Sequence, residues 1–561
     1  MDCVVQYYVA SDKSRLTGTN AENIILDDMN GAEVLVDSLA NDGVEVIFGV
    51  PGVQVMDVLD VIYRRHRIRW ITTRHEQSAA YMAMGYARST GKEGTAMVVP
   101  GPGALNTVAA VGTAYAASIP VLIISGQNES HTFDQTRGYL HQTNNQMDIF
   151  RPLTKWCNRV TQITEVPEVI NQAMHLLRTG RQRPVEIEIT SDVWLASGDI
   201  NLKTPAGDQV QPPDLKLIKG SASLLSSAKK PLIWAGGGII SSNASRELTQ
   251  MAESLRAPVV TTNEGKGAIS EAHPLSLGGT NYGISPALLQ ADTILIIGSS
   301  FQRRRNSWKP LPNQKVIQID IDENEVGRNV PVDIGINADA LPTLKAILGE
   351  LPEKVKSEWQ KAELDSIKSI IKSKSEETAP IQLSIIKTIR EEIQDGILVP
   401  GINNIGYWCQ TAYPVYQPRT YVTSSYYVTL GYAFPTALGA KVGNPDKSVV
   451  AICGDGGFLF ADAELATAVQ EGINVVTLVF TDAALGSCLR IQQKRFGNRI
   501  LGTQLHNPDF AQLARAYGAV GITLKDVNEL RDALRSALGG NRPAVIQIPL
   551  PTLAQPWDMS L

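Results

Sequence analysis

Short apolar runs recur along this chain, and the stretches between them have helical length. The first group is VEVIFGV (44–50), RWITT (69–73), GTAMVV (94–99), VLIIS (121–125) and VEIEI (185–189). Buried strands alternating with helices predict a doubly wound parallel sheet over about residues 30–190. A polar, Pro-rich linker follows, PAGDQVQPPDL at 205–215. A second group then reads PLIWAGG (231–237), APVVTT (257–262), TILIIG (293–298) and KVIQIDID (315–322), ending near 346. The charged stretch at 350–377 suits a solvated helical connector. The third group is GILVP (396–400), SVVAIC (448–453), NVVTLVF (474–480) and PAVIQIP (543–549). The expected fold class is therefore α/β, with three doubly wound parallel-sheet domains. The expected bounds are an N-terminal arm at 1–28, domains at 29–195, 212–346 and 380–561, and a helical linker at 347–379.

Composition narrows the function classes. A chain of 561 residues with 43% hydrophobic and 19% charged residues is ordinary for a globular protein of several domains. The net charge of −5 gives no basic footprint, so nucleic acid is not expected as a partner. The apolar runs are strand-sized, too short to span a bilayer, and no membrane association is expected. The N-terminus lacks signal-peptide features. Cys3, Cys157, Cys409, Cys453 and Cys488 show no paired spacing, which argues against a disulfide framework or a zinc site. Together these features lead to the expectation of a cytoplasmic protein.

The chemistry concentrates at Gly454-Asp455-Gly456-Gly457, where an apolar strand runs into a glycine-rich turn. A second apolar strand ends at Asp482, 27 positions after Asp455. Two strands joined by a helix in a parallel unit end on the same sheet edge, so the two carboxylates meet. Hard oxygen ligands beside small residues with free amides suit a divalent cation carrying a diphosphate. Gly-Asp-Gly alone also suits a turn with a capping Asp. Three further segments stand out. Arg74-His75-Glu76-Gln77 opens a helix, TSSYYVTLGYAFPTALGAK spans 423–441, and a long polar loop spans 126–156.

These motifs resemble those of the thiamine diphosphate (ThDP) enzymes, and within them the acetolactate synthase-like group, from about residue 30 onward. The resemblance implies three domains: pyrimidine-binding, central and diphosphate-binding. It implies that Asp455, Asp482 and the Ala484 carbonyl hold Mg²⁺. Asn404, Gly454, Gly456, Gly457, Leu485 and Gly486 would complete the diphosphate side. Asp482 stands where the family usually has Asn. Glu76 would hydrogen-bond the pyrimidine N1′ and so activate the cofactor toward loss of its C2 proton. Leu430 would set the bent shape of the cofactor, and the Val428 carbonyl would accept from its 4′-amino group.

Gln142 and His141 occupy the family's substrate loop, with His141 replacing an aromatic residue. The His-Gln pair also resembles carboxyethylarginine synthase. Val53, Gln54, Tyr426 and Ile491 depart from the acetolactate synthase pattern. The implied reaction is decarboxylation of a pyruvate-like 2-oxoacid, with carboligation of the enamine to a second carbonyl. The alternatives are a lyase, C–C hydrolase or simple decarboxylase, carboxyethyl transfer, and a cofactor-binding subunit without turnover. The family's central domain holds FAD, another nucleotide or nothing, and Gly236-Gly237-Gly238 and Arg303-Arg304-Arg305 are the residues that bear on this. A homodimer at minimum, commonly a tetramer, is implied.

Overall fold

The computed structural model describes residues 28–133, 137–205, 207, 212–279, 285–301, 310–353, 355–424 and 426–559. All of the expected arm except Asp28, together with Arg303–Arg305 and Ser425, lies outside them.

Three parallel sheets carry the fold. The first has six strands in the order Arg69–Thr72, Val46–Gly49, Gly94–Val98, Val121–Gln127, Val185–Thr190, Trp156–Val160. The second, also of six, runs Ser276–Gly279, Val259–Thr261, Pro231–Ala235, Thr293–Ile297, Lys315–Asp320, Ile334–Asn337. The third has five, Ile397–Pro400, Val449–Gly454, Val476–Thr481, Ala544–Pro549, Val520–Thr523. Helices cover both faces, so the central strands are wholly buried, as continuous Val/Ile/Leu runs require in parallel sheets. Within these three sheets, four strands go beyond those expected from the apolar pattern: Trp156–Val160, Ser276–Gly279, Ile334–Asn337 and Val520–Thr523. All four lie at a sheet edge, where half-exposure dilutes the pattern. The 350–377 connector is helical over Lys361–Thr378.

The first and third sheets share one core. Helix Glu76–Thr90 crosses helix Ala433–Gly443 there, and small residues let the backbones touch. A Cβ at Gly85 would lie 1.9 Å from the Thr436 carbonyl oxygen, and one at Gly439 would lie 1.9 Å from that of Met82. This contact fixes the start of the first helix, and with it Glu76, relative to the third domain.

Candidate active site

The register of the third sheet sets Gly454 opposite Phe480. Asp455 and Asp482 therefore leave the sheet side by side. Asp455 is buried. Its Oδ2 accepts the Ala483 N–H and Asn507 Nδ2, both at 2.8 Å, and its Oδ1 accepts the Gly456 N–H at 2.7 Å. Oδ2 has used its acceptor capacity, whereas Oδ1 retains a lone pair. Ala483 sits at φ 51°, a left-handed conformation that a non-glycine residue adopts at a cost. The Leu485 N–H to the Thr503 carbonyl and the Leu505 N–H to the Ala483 carbonyl, both 2.8 Å, hold this turn. Burial, and then the Asp455 charge, push the Asp482 carboxyl up. Its Oδ2 accepts a long bond from the Thr552 hydroxyl, 3.4 Å, and lies 2.8 Å from where a Cβ at Gly486 would stand. An open cleft of about 510 Å³ lies against Asp482, Ala483, His506 and Asn507. Ala484 is buried in this loop and pairs with Gln504.

The 426–430 segment runs between this turn and the first domain. Tyr427 packs over Gly112, 3.0 Å from a Cβ there, and the Thr429 hydroxyl bonds to Tyr81. The Leu430 side chain approaches Gly457 at 3.8 Å from its would-be Cβ. Val428 is 50% exposed between them. Gly456 has little room for a side chain, since Leu485 and Leu505 stand 2.9 and 3.2 Å from a Cβ there, and Asn403 similarly fills the space at Gly454. Asn404 begins helix Asn404–Ala412. Its Nδ2 donates to the carbonyls of Leu553 and Ala554, and its Oδ1 is buried without a partner among the described residues.

Glu76 opens helix Glu76–Thr90, which His75 caps by accepting the Gln77 N–H. Its carboxylate accepts from Asn106 Nδ2 at 2.9 Å and lies 3.6 Å from a Cβ built at Gly103. Wholly buried Glu464, from the third domain, accepts the Arg74 and His75 N–H groups at 3.0 Å. Burial pushes the Glu464 carboxyl up. No local sequence signal points to Glu464 or Asn507, and none ties Asn106, in the turn after Gly101-Pro102-Gly103, to Glu76, because each acts across a long sequence separation.

His141 and Gln142 lie on the loop beyond strand Val121–Gln127. His141 stands at φ 62°, and its Nδ1 is buried without a partner among the described residues. Gln142 Oε1 accepts the Gly138 and Tyr139 N–H groups at 3.0 and 3.3 Å, which folds the loop on itself. Beneath the loop lies a buried polar group that motif reasoning misses. Glu186 and Glu188 are both wholly buried. Glu188 meets Arg159 at 2.9 Å, while Glu186 accepts from Ser125 Oγ at 2.6 Å. Burial, and then Glu188, push the Glu186 carboxyl well above the usual carboxylate range. The signal is present in VEIEI: an interior parallel strand is covered on both faces, so glutamates inside it need partners.

In the central domain, the glycines at 236–238 are consumed by packing. A Cβ at Gly236 would lie 2.1 Å from the Gly298 carbonyl oxygen, and one at Gly238 would lie 2.5 Å from the Gly298 Cα. These glycines let two strand ends touch.

The donor set at 455 and 482 is oxygen only, with a free lone pair on Asp455 Oδ1, and fits Mg²⁺. Orphaned Asn404 Oδ1 and Asn507 Oδ1 belong to the same domain. Family models match segments of all three domains. The thiamine pyrophosphate enzyme N-terminal TPP binding domain matches residues 29–149, the central domain 218–347 and the C-terminal TPP binding domain 401–548. The chain is 34% identical to the probable acetolactate synthase large subunit of Methanocaldococcus jannaschii, across 93% of this chain and 92% of that protein. It is 34% identical to the acetolactate synthase large subunit of Haemophilus influenzae, across 91% and 92%. It is also 32% identical to a probable 2-ketoarginine decarboxylase of Pseudomonas aeruginosa, across 93% and 94%. Fold, family models and relatives agree: this chain belongs to the thiamine pyrophosphate enzyme family.

Proposed function

We propose that the protein is a ThDP- and Mg²⁺-dependent enzyme of the acetolactate synthase type, which decarboxylates a pyruvate-like 2-oxoacid and joins the remaining acyl unit to a second carbonyl. The observation that carries this reading is the pairing of Asp455 and Asp482 at adjacent strand ends, with the Ala483 N–H bound to Asp455. Asp455 Oδ1, Asp482 and the Ala484 carbonyl would hold Mg²⁺. Asn404, Gly454, Gly456, Gly457, Leu485 and Gly486 would line the diphosphate, and Leu430 and the Val428 carbonyl would face the rings. When bound, ThDP would supply a nucleophilic carbon and a sink for the electron pair left behind as the carboxylate leaves as CO₂. Glu76, oriented by Asn106, would hold a carboxylate at the pyrimidine ring. Gln142 binds the substrate carboxylate, and His141 moves a proton.

The units at 29–195, 212–346 and 380–561 act together, in a homodimer or a tetramer built from dimers. Exposed apolar side chains around the site, Val428, Phe460 and Leu501 among them, support its closure by a second copy. The cytoplasm is the proposed location. Among the described residues no helix is long and apolar enough to cross a membrane. The central domain is not assigned FAD, since its glycines are used in packing.

A second reading, simple decarboxylation with a proton as acceptor, is favoured by His141 in the substrate loop and by the relative named as a decarboxylase. The test is to titrate ThDP with Mg²⁺ and then analyse products from pyruvate, alone and with added 2-oxoacids or aldehydes. A new carbon–carbon product supports the first reading. Aldehyde alone supports the second. Cofactor binding without turnover of any 2-oxoacid contradicts both and marks a non-catalytic subunit.

A further inference from the structure

Gln146 is a wholly buried amide at the point where the substrate loop rejoins the first sheet. Its Oε1 accepts the Gly101 N–H at 2.7 Å. Its Nε2 donates to Ser125 Oγ and to Glu188 Oε2, both at 3.1 Å. Glu188 is itself fixed by Arg159 at 2.9 Å and by Gln127 Nε2 at 2.6 Å. Gly101 caps helix Pro102–Ala117 at φ 59°, and a Cβ there would lie 2.4 Å from the His141 carbonyl oxygen. The same helix carries Asn106, which holds the Glu76 carboxylate. One buried side chain thus joins the sheet to the Gly101 turn. From that turn one path leads through His141 to the substrate loop, and another leads through Asn106 to Glu76.

We infer that Gln146 is a positioning residue that sets the placement of the His141–Gln142 loop relative to Glu76. The inference rests on the function proposed above for those residues. An amide is required because one neighbour, Gly101, presents a donor while the other two, Ser125 and Glu188, accept. Only a group with both an acceptor and donors satisfies all three. Leucine at this position leaves the Gly101 N–H buried and unpaired and takes one of two donors from Glu188 Oε2, which keeps Gln127, so the turn and the loop shift to find water. A displacement of about 1 Å in a positioning element costs on the order of a hundredfold in rate.

The test uses Gln146→Leu and Gln146→Glu in the full-length protein with ThDP and Mg²⁺. Gln146→Leu is expected to lower kcat/KM for the 2-oxoacid by about 10- to 100-fold, with the ThDP dissociation constant changed by less than about threefold, or under 1 kcal/mol. Hydrogen exchange of the amides at 99–103 and 138–145 is expected to quicken, while that of 449–454 stays as in the wild type.

Gln146→Glu places a carboxylate beside Glu188 and Glu186, with Arg159 and Cys157 on the neighbouring strand and His141 above. Its protonated form restores both an acceptor and a donor. Its activity relative to wild type is therefore expected to rise as pH falls from 8 to 6, a trend absent from Gln146→Leu. Unchanged kcat/KM and exchange in both variants overturn the inference, and so does a loss of ThDP binding that accounts for the whole effect. A wild-type protein without turnover sinks the proposed function instead, and the exchange of the 99–103 and 138–145 amides then decides the role of Gln146.

Discussion

The Glu76 carboxylate accepts a hydrogen bond from Asn106 Nδ2 at 2.9 Å, across two helices of the first domain. On its other side a Cβ at Gly103 would stand 3.6 Å from the Glu76 carboxylate and 2.7 Å from the Val99 side chain. Asn106 thus engages one of the two carboxylate oxygens.

Asn106→Leu removes that bond while keeping the helix. The carboxylate then samples other rotamers, and kcat is expected to fall about tenfold, the scale of losing one hydrogen bond to a charged group. Steady-state kinetics beside a ThDP titration checks this, with cofactor affinity expected to change less than kcat.

Glu464 offers a stability test at the domain contact. It accepts two backbone N–H groups of the first domain and the Thr467 hydroxyl, the latter at 2.6 Å. Glu464→Ala takes the acceptor from two part-buried backbone donors and is expected to cost roughly 1–3 kcal/mol. Glu464→Gln keeps an acceptor and should recover part of that loss. Chemical denaturation of the three proteins gives the comparison.

The helix crossing makes a sharper demand. A carbonyl oxygen stands 1.9 Å from where either Cβ would be, so Gly85→Ala or Gly439→Ala must push two backbones apart. Each is expected to destabilise by about 3 kcal/mol or more, read as a lowered Tm or loss of soluble protein. Gly349→Ala, with nothing near its Cβ, is the control and should change little.

Asp320 carries the clearest pH dependence outside the site. Burial raises its carboxyl to about 6 from an ordinary value near 3.8, against the Asp322 N–H and Arg181, which lower it. The folded state keeps this proton where the unfolded chain has lost it. Stability from this group is therefore full below about pH 4 and is lost as pH rises through about 6, by on the order of 2–3 kcal/mol. Asp320→Asn retains the acceptor for the Asp322 N–H. Its unfolding free energy should lack that slope when measured between pH 4.5 and 7.5.

The sequence is most legible where one residue type does one local job. Strand Val449–Gly454 is a continuous apolar run ending in Gly-Asp-Gly, so both the strand and the turn can be read directly. Strand Val520–Thr523 is half-exposed at a sheet edge, and its pattern is too weak to separate from a loop. Glu76 is visible as the first residue of a helix, but its partner Asn106 is not, since nothing local ties position 106 to position 76. Glu186 and Glu188 in VEIEI read as strand residues without a role. Their partners Ser125, Gln127, Gln146 and Arg159 come from two other strands and a short helix, and only the fold brings them together.

The most direct test of the account is Glu76→Gln, assayed with saturating ThDP and Mg²⁺. The glutamine still fills the space and can still bond Asn106, but it carries no carboxylate. The protein should bind the cofactor and fold as the wild type does, while kcat falls by about 10²- to 10⁴-fold, the range for losing acid–base activation. A Glu76→Gln protein that turns over its 2-oxoacid at the wild-type rate would contradict the assignment of Glu76 and the mechanism built on it.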